Sequence, residues 1–170
     1  MKKPVKSIPD QEFERLRQTN IGRLVEDFHL YFDMQALKYL RESGFPMIKS
    51  ADAHVMRTMR FEGTRVTDMA RQAGISKQAM SILVTAFIAH GFLTWAGDPK
   101  DKRNRIVSVT PAGRKLLTCG IAALKRAEDE ITEIIGAQEL ERFRQVLIDI
   151  KLAKNLRPFK TQPQDRRRRV

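Results

Sequence analysis

Apolar residues recur at helical steps through most of this chain, and the interruptions fall at glycine and proline. Over residues 10–43, Ile21, Val25, Phe28 and Phe32 follow one another at three and four positions, then Leu37 and Leu40. That spacing predicts one long helix, or a pair broken near Asn20-Ile21-Gly22, stopped by Gly44 and Pro46. Ser50 reads as an N-cap with Asp52 in the first turn, for a helix reaching about Glu62 and ending at Gly63. A short helix over 66–73 follows, with Thr64 as its cap. Gly74-Ile75-Ser76 is a turn, and Ser76 caps a helix over 77–90 that Gly91 closes. The texture then changes. Residues 92–96 and 105–109 read as strands joined by the charged, turn-rich loop 97–104, a hairpin with a long tip. Thr110-Pro111 opens a fifth helix carrying Leu117, Ile121, Leu124, Ile131 and Ile135. Gly136 breaks it, and a sixth helix carries Leu140, Phe143, Leu147 and Ile150 in a 3-4-3 seam.

Composition sharpens this picture mainly through charge. The 170 residues carry a net charge of +12. Six basic residues and one acid lie beyond Leu156, so residues 1–156 still carry +7. Such an excess favours nucleic acid or an anionic surface and is neutral about fold. A hydrophobic share of 42% suits a globular core. Cys119 is the single cysteine, which excludes an internal disulfide and a cysteine metal cluster. The most apolar stretch, 79–89, is far shorter than the roughly 20 residues that span a bilayer, and Met1-Lys2-Lys3-Pro4 is not followed by an apolar run. No membrane association is expected, and the expected compartment is the cytoplasm.

The strongest functional pattern lies between Ala70 and Leu83. Ala70, Gly74, Met80 and Leu83 fall at the offsets of a helix-turn-helix. Ala70 lets the second helix cross close to the first, Gly74 supplies a positive φ, and Ile75 and Met80 bury the inner face. The outer face is then Ser76, Lys77, Gln78, Ser81, Ile82 and Thr85, mostly short polar residues that can approach base edges in a major groove. Two ordinary helices joined by a glycine turn would share these offsets. The hairpin that follows tips the balance. Its tip carries Lys100, Asp101, Lys102 and Arg103, with Arg105 just behind, a poor hydrophobic lid but a good arm for phosphates or a minor groove. Asp101 stands two residues from Arg103, close enough to brace its guanidinium.

The run Asp98-Pro99-Lys100-Asp101-Lys102-Arg103-Asn104-Arg105-Ile106-Val107-Ser108-Val109-Thr110-Pro111-Ala112-Gly113 resembles the wing signature of MarR-type regulators, Asp-Pro-x-Asp-Arg-Arg, a strand, then Leu-Thr-x-x-Gly. The resemblance covers about residues 12–155. It implies a mainly α winged helix-turn-helix fold of six helices with a small β-hairpin wing, the terminal helices forming a dimerisation lobe. It further implies a homodimer on double-stranded DNA. Arg103 would enter the minor groove with Asp101 positioning it, while Ser76, Gln78, Ser81 and Ile82 would face the major groove. Regulators of this type are commonly repressors released by small aromatic or phenolic effectors. The corresponding segments are a flexible basic arm (1–9), N-terminal dimerisation helices (10–46), the DNA-binding lobe (47–110), C-terminal dimerisation helices (111–156) and a disordered basic tail (157–170). Departures are Lys102, where arginine is usual, and Ile82, Ala86 and Ile88, where charged residues are usual. Nothing between Lys77 and His90 carries a formal charge. Ile82 could meet a thymine methyl group, or it could pack on a neighbour, the expected role of Ile88.

Other features weigh less. His29 and Asp33 lie one helical turn apart, but two ligands are not a metal site, and a polar pair in an interface or pocket wall is expected. His54 and His90 have no paired ligands. Cys119 reads as a buried, inert thiol. Met47, Met56, Met59, Met69 and Met80 read as core filling before an adaptable pocket. Glu128-Asp129-Glu130 reads as a solvated face, and Arg166 to Arg169 as a non-specific DNA anchor. No catalytic set and no cofactor motif is present, so an enzyme is not expected. Two alternatives stay open: a non-specific DNA-binding protein driven by its basic arms, and a winged-helix module that binds protein.

Overall fold

The structure, a computed structural model, describes residues 8–98 and 101–156, with the backbone alone at residue 98 and over 101–104. Among these residues the chain forms seven α-helices and one two-stranded antiparallel hairpin, a winged-helix architecture. The helix beyond the six expected arises at Asn20. Its backbone leaves helical geometry between α1 (Asp10–Thr19) and α2 (Ile21–Glu42), and its side chain accepts the Gly22 N–H at 2.9 Å.

Two helix boundaries fall elsewhere than the sequence suggests, one for a local cause and one for a tertiary one. Ser50 does not cap a helix; it opens a 3-10 turn (Ser50–Asp52) in which the Asp52 carboxylate accepts the Lys49 N–H at 2.8 Å. α3 (Ala53–Thr58) then stops short of Glu62. The Thr58 hydroxyl donates back to the His54 carbonyl at 2.6 Å, Met59 is extended, and Thr64 enters a β-bridge with Val107. That bridge exchanges two backbone hydrogen bonds of 3.0 Å. Thr64 therefore does not cap α4 (Val66–Ala73); Arg65 holds the cap position and makes no side-chain capping bond there.

After α5 (Lys77–Ala89) the wing is built from β1 (Leu93–Asp98) and β2 (Asp101–Val109). Trp95 pairs with Val107 and Gly97 with Arg105, and the ladder continues through an irregularity to residues 98 and 101. The long tip expected over 97–104 is thus mostly strand. Backbone pairing asks nothing of side-chain polarity.

α6 (Pro111–Ile135) starts from Thr110, whose hydroxyl accepts the Gly113 N–H at 3.0 Å and donates to the Gly91 carbonyl at 2.6 Å. The Thr110 N–H also bonds the Phe92 carbonyl at 3.1 Å. Phe92 is a centre of the core, with Phe45 and Phe87 edge-on to it, each at 5.9 Å between centroids. It ties α5, the wing and the loop after α2 into one body.

The long helices meet alongside. α2 lies on α6, and α7 (Ala137–Ala153) packs back on α6 after Gly136. Tyr39 donates its hydroxyl to Glu130, which also accepts from Tyr31 at 3.3 Å, and Arg126 stacks 3.8 Å over the Tyr39 ring. The Glu130 carboxylate pushes the Tyr39 phenol up to about 12. Arg144 makes two bonds to Glu128, at 3.1 and 3.2 Å, and Phe143 meets Phe28 edge-on at 5.6 Å. The acidic run 128–130 is therefore no solvated face: Glu128 and Glu130 bind neighbouring helices, and only Asp129 is exposed.

α6 has two apolar sides. Leu116, Gly120, Ala123, Ala127 and Ile131 are buried against the subunit. Ile121, Leu124, Ile134 and Ile135 are exposed, and so are Leu147, Ile150 and Leu152 of α7. Neither α1 nor α7 buries a single residue. No helix among the described residues is long and apolar enough to cross a membrane.

Candidate nucleic-acid interface

The turn between α4 and α5 has the geometry its sequence implies. Gly74 sits at φ 69°, ψ 23°, the left-handed region that an L side chain rarely adopts. Its N–H and that of Ile75 return to the Ala70 carbonyl, closing α4. Ala70 and Met80 are buried where the two helices cross, and Ile75 is half-buried at the edge. Ser76, extended at ψ 152°, caps α5 by accepting the Ala79 N–H at 3.1 Å.

α5 divides cleanly. Met80, Val84 and Phe87 are buried, and Leu83 and Ile88 pack partly on the core. Ile88 is thus a packing residue. Of the six predicted residues, Ser76, Lys77, Gln78, Ile82 and Thr85 are exposed and Ser81 is half-buried, spread from the cap at Ser76 to Thr85, past the middle of the helix.

Of the predicted wing residues, Lys100 lies outside the described residues, and for Asp101, Lys102 and Arg103 only the backbone is described, in β2. The proposed bracing of Arg103 by Asp101 therefore falls outside the described side chains, as do the arm at 1–7 and the tail at 157–170. Arg105 is exposed, and its guanidinium lies 4.9 Å over the Trp95 ring. Trp95 escaped the sequence reading. In an antiparallel register, residues two apart on one strand share a face with their opposite numbers, so Trp95 and Arg105 become diagonal neighbours once Gly97 is paired with Arg105. The ring gives the cation a fixed resting place that leaves it exposed.

A cavity of about 140 Å³ opens where the helix-turn-helix lobe meets the long helices. Its walls include Leu37, Leu40, Ile48, Met56, Leu117 and Leu124, with Asp33, Lys49 and Arg57 supplying charge. Asp33 pairs with Arg57 at 2.8 Å in the cavity wall, and His29, 3.5 Å from the Asp33 carboxylate, lies outside that wall. Met69 and Met80 fill the core, while Met56 reaches the cavity. Cys119 is half-buried against the core, less enclosed than expected.

No protein-family model and no curated protein matches this sequence. Solved structures match its fold. Wild-type MarR from E. coli in its apo form gives a TM-score of 0.64 at 20% identity, covering 76% of this chain and 96% of that one. A MarR-family transcriptional regulator from Rhodococcus sp. RHA1 gives 0.63 at 21%, covering 80% and 95%. CouR from Rhodococcus jostii RHA1, bound to p-coumaroyl-CoA, gives 0.63 at 22%, covering 80% and 93%. The chain has the winged-helix fold of these regulators.

Proposed function

We propose that this chain is a sequence-specific, double-stranded-DNA-binding transcriptional regulator acting as a homodimer on a palindromic operator. The observation that carries the reading is α5. A helix whose exposed first turns are short and polar, capped by Ser76 and flanked by a projecting wing, fits a major groove with its N–H groups toward phosphate. The exposed apolar rows on α1, α2, α6 and α7 supply the twofold contact. Two recognition helices then stand about 34 Å apart, one duplex turn. Promoter occupancy can repress or activate, and repression is the sign proposed here. The cavity under the lobe suits a small aromatic or phenolic effector, and CouR, of the same fold, is bound to p-coumaroyl-CoA.

The test is selection from random duplexes at about physiological salt, with the full chain and with a chain ending at Arg157. Recovery of a palindrome by both is the expected outcome. Binding of all sequences alike, lost without the tail, would make the protein a non-specific coat. The outer face of α5, uncharged beyond Lys77, also suits a protein partner, and no duplex binding at all would favour that reading.

In this reading the wing grips phosphate through Arg105. Arg105→Ala is expected to reduce the slope of log K against log salt by about 0.9, one phosphate contact. Trp95→Phe keeps a ring beneath the guanidinium and should leave the slope unchanged, whereas Trp95→Ala should weaken binding. Salt titrations of the three variants check this.

A further inference from the structure

Ile82 is 70% exposed at the centre of the outward face of α5. The inner face is complete without it: Met80, Val84 and Phe87 are buried, and Leu83 and Ile88 pack on the core. A β-branched residue on an exposed helix surface has no propensity argument in its favour, because lysine, glutamate or glutamine would each serve the helix better. Its neighbours on that surface are polar and uncharged. Gln78 precedes it by one turn, and Ser81 and Thr85 stand beside it. No carboxylate on α5 repels phosphate, and between Lys77 and His90 no cation grips one. The face is therefore built for contact with base edges, and at Ile82 the contact must be apolar.

A major-groove edge offers few apolar groups. Thymine carries a methyl at C5, and 5-methylcytosine carries the same group at the same place. We propose that Ile82 reads a pyrimidine C5-methyl group in each half-site. Gln78 lies about 6 Å away along the helix axis, and base pairs rise 3.4 Å per step. The methyl group thus stands within about two steps of the base that Gln78 meets, and glutamine suits the adenine N6 and N7 pair. The inference rests on the regulator reading above and adds the group being read.

The experiment uses the full chain and a duplex recovered by selection. Each thymine in turn is replaced by deoxyuridine, which removes the methyl group and keeps the pairing. Each cytosine is replaced by 5-methylcytosine, which adds one. Affinity is read by anisotropy of a labelled duplex at about physiological salt. One thymine per half-site should lose about fourfold on replacement, the ratio equivalent to about 0.8 kcal/mol for one buried methyl group, and about fifteenfold when both half-sites change. The variant I82A should bind parent and uridine duplexes alike and keep the parent's melting temperature. A gain confined to a methylated cytosine would name 5-methylcytosine as the source and support the inference equally.

Three results would overturn it. Specific binding indifferent to every methyl change would remove this inference and leave the regulator reading standing. Methyl sensitivity undiminished in I82A would assign the group to another residue. Selection of no sequence would remove both readings, and an Ile82-dependent protein partner in that case would mark α5 as a protein surface.

Discussion

Replacing Ile134 and Leu152 together with glutamate is expected to convert the protein to single chains and to lower operator affinity by a factor of about 100 or more. Both residues are 72% exposed, so the subunit does not need them for its own core. Ile134 sits near the end of α6 and Leu152 near the end of α7, within the apolar rows that a twofold partner would cover. The double variant should keep its helical content and its melting cooperativity. Linked half-site binding is what it should lose, because the second recognition helix is held beside the duplex only by the first. Light scattering gives the mass and anisotropy gives the affinity. A variant of two-chain mass with full affinity would place the dimer contact elsewhere, and a single-chain mass with full affinity would remove the need for a dimer.

Gly113→Ala should be the most damaging single methyl group in the molecule. A Cβ at that position would stand 2.0 Å from the Phe92 carbonyl oxygen and 3.0 Å from its carbon. The obstacle is backbone, and that carbonyl already accepts from the Thr110 N–H. α6 can accept the methyl group only by lifting its first turn off the wing, which disrupts the Thr110 cap and the contacts around Phe92. Overpacking of a rigid core costs about 1–3 kcal/mol, and a backbone obstacle already hydrogen-bonded belongs at or above the top of that range. Chemical denaturation of the variant should show a lowered midpoint. Ala112→Gly, one residue earlier on the exposed side, should cost no more than about 1 kcal/mol. The Thr-x-x-Gly at the end of the wing signature thus has a packing cause. The threonine caps α6, and the glycine lets the capped turn lie on the carbonyl of Phe92.

Most of the scaffold was legible because its signals are local. Gly74, Ser76 and Thr110 each do what their immediate neighbours require, and the break at Asn20 follows from its own side chain. Most of the errors have a different origin. α3 ends at Thr58 because Thr64 is claimed by Val107, a residue 43 positions later in sequence. The strands run through charged residues because their partner strand, not their own polarity, holds them. Thr64 looked like a cap by residue type and a tertiary contact claimed it, whereas Ser50 lost its place to a local bond from the Lys49 N–H to the Asp52 carboxylate. In the candidate interface, the outward face of α5 followed from helical period alone. Trp95 beneath Arg105 did not, since a diagonal pair exists only once the register is known. The acidic run 128–130 was misread for the same reason, its partners Tyr31, Tyr39 and Arg144 all lying on other helices.

The bridge between Thr64 and Val107 has a mechanical consequence. It fastens the base of the wing to the strand-like entry of α4, while Phe92 fastens it to α5. Wing and α5 are therefore held to one another, and the loop after α2 is held to both through Phe45. The cavity lined by Leu40, Met56 and Leu117 lies where the helix-turn-helix lobe meets the long helices. If α5 and the wing contact DNA as proposed, any displacement of that lobe from the long helices would carry both contacts together.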